Sequence, residues 1–140
     1  MYVLDTDHCI ELLRGNEGIS FKLESLRDDI GIAIYTTTIT AAELFYGVYR
    51  MRNLEQRMQE VNAFLDDIEI LNLDLDSAST YGQVKAELAR RGELLADNDL
   101  FIASLALSRN LTLVTHNTHH YERIPNLRLE DWIAQTENNF

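Results

Sequence analysis

Four polar side chains stand where apolar runs begin or end. Asp5 closes Tyr2-Val3-Leu4-Asp5, Glu43 lies in Thr40-Ala41-Ala42-Glu43-Leu44, Asp99 in Asn98-Asp99-Leu100-Phe101-Ile102-Ala103, and Asn117 in Leu113-Val114-Thr115-His116-Asn117. A carboxylate inside a buried element would have to shed its water. At the element's edge it can face a cleft while the apolar run beside it holds it still. Acids drawn in this way from distant parts of a chain build a site for a hard divalent cation. Mg²⁺ and Mn²⁺ take carboxylate and water oxygens, usually one or two direct carboxylates with water completing the shell. Asp5 and Asp99 are the candidates for direct ligation. Two carboxylates ~5 Å apart repel by roughly 3 kcal/mol at an effective dielectric near 20, so three acids in one cleft are costly without a cation.

The elements that must position these groups alternate in type. Residues 2–5 read as a short buried strand, followed by Thr6 or Asp7 as a cap and a helix carrying Ile10, Leu12 and Leu13 up to Gly15. A second helix is expected over residues 19–27 with Phe21, Leu23 and Leu26 inward, then a β-branched strand over 31–36. Thr40 is placed as the cap of a helix bearing Leu44, Phe45 and Val48. Helical spacing recurs over 54–67, with a strand over 68–73. Asp76 or Ser77 opens a helix stopped by Gly92, and Asp97 or Asn98 opens the next. Strands follow at 111–115 and, more briefly, 127–129, before a helix containing Trp132. Alternating strands and helices predict an α/β fold, a three-layer α/β/α sandwich with a mainly parallel central sheet. Ligands bind such sheets beyond the carboxyl ends of the strands, where Asp5 and Asn117 stand.

At 140 residues, with one proline, six glycines and no repeat or low-complexity tract, the chain reads as a single domain over 1–135 with a tail over 136–140 expected to fray. The start lacks the basic flank and long apolar stretch of a signal peptide, and no later segment is long and apolar enough to span a bilayer. With the lone Cys9 unable to form an internal disulfide, a cytoplasmic protein is expected, with no membrane partner. The formal charge of −11 argues against a plain nucleic-acid binder. It is compatible with a metal-dependent enzyme, whose ions neutralise the cleft locally, and it suits a cationic protein partner.

Five strings in order carry a resemblance: Leu4-Asp5-Thr6-Asp7, Ile39-Thr40-Ala41-Ala42-Glu43-Leu44-Phe45-Tyr46-Gly47, Asp97-Asn98-Asp99-Leu100-Phe101-Ile102-Ala103, Leu113-Val114-Thr115-His116-Asn117-Thr118 and Leu127-Arg128-Leu129-Glu130-Asp131-Trp132. Each alone is weak, but together, over residues 2–132, they are specific. The chain resembles the PIN-domain ribonucleases of the VapC type, the toxin half of bacterial toxin–antitoxin pairs. The resemblance implies that Asp5, Glu43 and Asp99 bind Mg²⁺ or Mn²⁺, which orients a water and stabilises charge on the scissile phosphate. It also implies a structured RNA target such as tRNA or rRNA, a cognate antitoxin that places a basic side chain in the cleft, and a homodimer or toxin–antitoxin hetero-oligomer.

Plainer roles compete at several positions. Thr40-x-x-Glu43 is also a capping-box pattern, and only the resemblance tips Glu43 towards the metal. Asp97 is either a helix-start acid favoured by the macrodipole or a second ligand or water-holder. Asn117 stands where many PIN domains have aspartate, and its amide oxygen adds no charge, which leaves the number of metals open. Thr6 matches a family hydroxyl beside the first acid and otherwise serves as an N-cap; Thr115 can orient Asp5 or Asp99, or be an ordinary strand threonine. His116, His119 and His120 with Cys9 match no closed zinc spacing, and Cys9 reads as a small core residue. Lys85, Arg90 and Arg91, like Arg14, Arg50 and Arg52, suit either RNA contacts or solvated helix faces. Two other functions fit less of the chain. One is a haloacid-dehalogenase-type phosphatase, whose nucleophile and acid Asp5-Thr6-Asp7 would imitate although no lysine follows Lys85. The other is a catalytically weak PIN-like protein-binding module.

Overall fold

The computed structural model describes residues 1–137; residues 138–140 of the tail expected to fray lie outside the described residues. The order is β1 (Tyr2–Leu4), α1 (Thr6–Leu13), α2 (Glu17–Arg27), β2 (Ile34–Thr37), α3 (Thr38–Tyr49), α4 (Leu54–Asp66), β3 (Glu69–Leu71), α5 (Leu75–Arg90), α6 (Asp97–Ser108), β4 (Thr112–Val114), α7 (Thr118–Tyr121), β5 (Leu129–Glu130) and α8 (Trp132–Glu137). The strands form one sheet in the order β3-β2-β1-β4-β5, with every pairing parallel. Side-chain alternation along the strands builds two cores. Val3 and Leu113 face a cluster with Leu88, Leu100, Ile102, Leu105 and Tyr121, contributed mainly by α5 and α6. Their neighbours Leu4 and Val114 face the opposite cluster, with Ile19, Leu23, Leu44, Val48, Val61 and Trp132. Helices therefore cover both faces, giving the expected three layers.

Several local expectations shift by a few residues for identifiable reasons. Asp5, not Thr6 or Asp7, is the N-cap of α1, accepting from the Thr6 N–H. Thr37, not Thr40, caps α3, its hydroxyl accepting the Thr40 N–H at 3.0 Å. Asp74 caps α5, so that helix opens before Asp76. β2 begins at Ile34 because Gly31, at φ +96°, turns the chain first. Phe21 is 76% exposed rather than inward. Helix α2 starts at Glu17 and buries Ile19 and Leu23, four residues apart on one face, and Phe21 between them points the other way. Gly92 does end α5: at φ +66° it donates to the Ala89 carbonyl while Glu93 N–H reaches Leu88, the paired bonds of a Schellman cap.

The chain runs from β1 outward through β2 to β3, then returns to the other side of β1 with β4. The direction of strand order reverses between β1 and β4, and sheets of this kind bind ligands beyond the carboxyl ends of the strands at such a switch point.

Candidate metal-binding active site

Register brings the first two groups of the site together. Leu4 pairs with Val114, so the next residues, Asp5 and Thr115, emerge side by side, and Asp5 N–H bonds the Val114 carbonyl at 2.9 Å. Asp5 is only 4% exposed. Its Oδ1 accepts the Thr6 N–H at 2.8 Å; its Oδ2 accepts the Thr115 hydroxyl at 2.8 Å and the Tyr121 hydroxyl at 3.2 Å. These donors fix the carboxylate without neutralising it.

Glu43 arrives from α3. Thr40 and Glu43, three residues apart, share a helix face, and Thr6 meets both, its hydroxyl 3.0 Å from Thr40 Oγ1 and donating to Glu43 Oε1 at 3.2 Å. The glutamate thus bonds a hydroxyl across the cleft. Asp99, in the first turn of α6, lies against His120 Nε2 at 3.4 Å, and its charge is felt by Asp5, Glu43 and Tyr121.

The electrostatics record this crowding. Burial, then the charge of Asp7, then that of Asp99, push the Asp5 carboxyl up to about 6 against the lowering effect of its hydrogen bonds. Burial first, with Asp99 and Asp7 behind it, raises Glu43 as well. Burial and the charges of Asp5 and Asp99 drive the Tyr121 hydroxyl upward, so it remains a neutral donor. Asp7 behaves oppositely. Burial alone would raise it, but hydrogen bonds from His8 and the His116 N–H hold it below the usual carboxylate range.

The remaining expected residues take distinct positions. Thr115 donates to Asp5 and accepts the Asn117 N–H at 3.1 Å. Asn117 opens α7 at the exit of β4, and its side chain makes no capping bond there. Asp97 is turned to the outer edge, its Oδ1 bound by Lys85 at 2.9 Å and the Tyr81 hydroxyl at 2.8 Å. Two residues on a helix differ by about 200°, which is why Asp97 and Asp99 face different neighbours. Arg90 pairs with Glu87 and Arg91 with Glu93. Cys9 is fully buried, 3.6 Å from Thr36 Oγ1, and burial pushes its thiol up to about 12. Sequence reasoning missed Tyr121 and the buried His8. Tyr121 reaches Asp5 across 116 positions, and only the order of the sheet brings them together.

Among the described residues no three His, Cys, Asp or Glu side chains form a ready metal cage. The donor set instead suits a hard divalent ion held by one or two carboxylates and completed by water and substrate oxygens. Asp5 retains acceptor capacity beyond its three donors, since an ionised carboxylate offers about four lone-pair sites.

A PIN domain model matches residues 2–127. Ribonuclease VapC2 of Rickettsia felis is 38% identical over 133 residues, covering 94% of this chain and 98% of the relative. This chain is a PIN domain of the VapC family. The tRNA(fMet)-specific endonuclease VapC of Salmonella typhimurium is 35% identical, covering 94% of this chain and 97% of that protein. In structure, the PIN domain is similar to VapBC2 from Rickettsia felis bound to a promoter DNA fragment, with a TM-score of 0.86, 36% identity and coverage of 94% and 98% of the two chains. VapBC-1 from nontypeable Haemophilus influenzae matches with a TM-score of 0.85 and 30% identity, covering 94% and 97%. Membership in this family removes the phosphatase reading of Asp5-Thr6-Asp7. Asp7 is held by His8 Nδ1 and the His116 N–H, each at 2.8 Å. No helix among the described residues is long and apolar enough to cross a membrane.

Proposed function

We propose that this PIN domain is a Mg²⁺- or Mn²⁺-dependent endoribonuclease toxin that cuts structured RNA such as tRNA or rRNA in the cytoplasm and is silenced by a cognate antitoxin. The observation that carries the reading is the cluster of Asp5, Glu43 and Asp99, in which burial first and the charges of Asp7 and Asp99 after it raise the carboxyls of Asp5 and Glu43. Asp5, Asp99 and Glu43 would hold the ion, with Asn117 supporting a coordinated water. When bound, such an ion supplies a more acidic water and charge stabilisation at the scissile phosphate. The chain's own groups orient the site: Thr6 links Asp5 to Glu43, and Thr115 and Tyr121 fix the second oxygen of Asp5.

A groove of about 330 Å³ adjoins the cleft, lined by Leu13, Leu44, Val48 and Met51 with Arg14 and Arg50, and Glu43 stands at its border. An antitoxin segment lying there would have the cleft within reach of a basic side chain. The exposed Tyr46, Tyr49 and Leu75 provide apolar surface for a homodimer or a toxin–antitoxin hetero-oligomer. The acidic charge and the neutral Asn117 favour a second reading, a binding module with little catalysis.

Incubating partner-free protein with a mixed tRNA and rRNA pool, with Mn²⁺ or Mg²⁺, with chelator, and with Asp99→Asn as control, separates the two. Discrete metal-dependent fragments lost in the variant support the nuclease. An intact pool, despite folding and metal binding, supports the module.

A further inference from the structure

The cleft just described makes no direct use of His8, which is fully buried on α1 three residues beyond Asp5. Its Nε2 lies 3.1 Å from the Trp132 backbone N–H at the start of α8. A backbone N–H can only donate, so Nε2 is the acceptor, and Nδ1 carries the ring proton, facing Asp7 Oδ1 at 2.8 Å. Docking of α8 therefore fixes the tautomer of a histidine beside the cleft.

Asp7 passes the constraint on. Its Oδ2 accepts the His116 N–H at 2.8 Å and stands 3.3 Å from Thr115 Oγ1. Thr115 has one hydroxyl proton and two carboxylates within reach, Asp5 at 2.8 Å and Asp7 at 3.3 Å. With His8 and His116 both donating to Asp7, the Thr115 proton goes to Asp5. Without the His8 donor, Asp7 would compete for it. A parallel clasp ties the same segments: Asp131 caps α8 through the Ala134 N–H at 3.0 Å, and its other oxygen lies 2.8 Å from His116 Nδ1.

We propose that His8 is a positioning residue: by donating to Asp7 it keeps the Thr115 hydroxyl on Asp5 and holds the exit of β4, linking the docking of the C-terminal helix to the geometry of the cleft. For activity, this rests on the ribonuclease reading above; for geometry, it does not.

Two substitutions separate positioning from core filling. His8→Asn places an amide nitrogen near the Nδ1 position, where it donates to Asp7 but cannot reach Trp132. His8→Gln places its carbonyl near the Nε2 position, where it accepts from Trp132 but gives Asp7 nothing. Amide exchange at His116 and Asn117 in metal-free protein reads the geometry whatever the protein cuts, and single-turnover RNA cleavage reads the chemistry. For His8→Gln we expect exchange to accelerate and the maximal single-turnover rate constant to fall by about tenfold or more, the scale of one hydrogen bond to a charged group, with the half-saturating protein concentration unchanged. His8→Asn should retain both within about threefold despite a comparable loss of melting temperature. If Gln behaves like the native protein while Asn fails, or if both readouts simply track melting temperature, the proposal is overturned. The expected exchange pattern in a protein that leaves RNA intact would uphold the positioning role and overturn the ribonuclease reading instead.

Discussion

Two acidic regions of this molecule, whose nearest members Asp97 and Asp99 stand two residues apart on α6, are held by opposite means. At the outer edge of α5 and α6, Asp97 binds Lys85 and Tyr81, and Asp74 binds Ser77 and Arg109. Lys85 and Tyr81 hold the Asp97 carboxyl below its ordinary range, and Ser77, with Arg109 behind it, does the same for Asp74. In the cleft, Asp5 is buried and, among the described residues, receives only the Thr6 N–H and two hydroxyls, while Asp7 and Asp99 press on it with like charge. The first arrangement is complete as it stands. The second is oriented but not neutralised, and it gains most from a cation.

The strongest way to break that contrast is to remove a cleft charge. Asp5→Asn or Asp99→Asn should lower RNA cleavage on the order of 10²–10³-fold, the usual scale for deleting one preorganised electrostatic group. Rates of discrete fragment formation under single-turnover conditions measure it.

The same acid should act in the opposite sense on stability. Because the folded carboxyl of Asp5 titrates near 6, above its ordinary 3.8, the native state binds more protons than the unfolded chain between those values. Stability of metal-free protein should therefore fall as pH rises through that window, by up to about 3 kcal/mol from this group, and stay reduced above it. Asp5→Asn should flatten the trend and raise the melting temperature at neutral pH. Urea unfolding of both proteins at pH 4.5 and 7.5 checks the sign.

Smaller effects sharpen the account. Tyr121→Phe removes one donor from Asp5 while leaving the fully buried ring in place, and should reduce cleavage by about tenfold, equivalent to about 1.4 kcal/mol. Lys85→Ala should leave cleavage within about twofold and the melting temperature nearly unchanged, because the Lys85–Asp97 pair is exposed and screened.

The sheet and its two helical layers were legible because β-branched and apolar runs alternate with helical spacing, and because alternation along β1 and β4 must divide Val3 and Leu113 from Leu4 and Val114. Caps were read less well. Thr40 carries the right chemistry for a cap, yet Thr37 occupies that position, and the choice depends on where β2 ends. Phe21 looked like core because apolar residues crowd 19–26, whereas the start of α2 decides which of them turn inward. At the cleft, acids at element edges could be found from local patterns. The hydroxyl of Tyr121 and the ring of His8 could not, since their partners lie 116 and 124 positions away and meet them only through strand order and α8 docking.

The most direct test is the melting temperature of metal-free protein at neutral pH, before and after adding Mn²⁺, for the native chain, Asp5→Asn and Asp97→Asn. Mn²⁺ should raise the native and Asp97→Asn proteins alike and leave Asp5→Asn, already more stable without metal, unmoved. Equal shifts in all three, or no shift in the native chain, would contradict it.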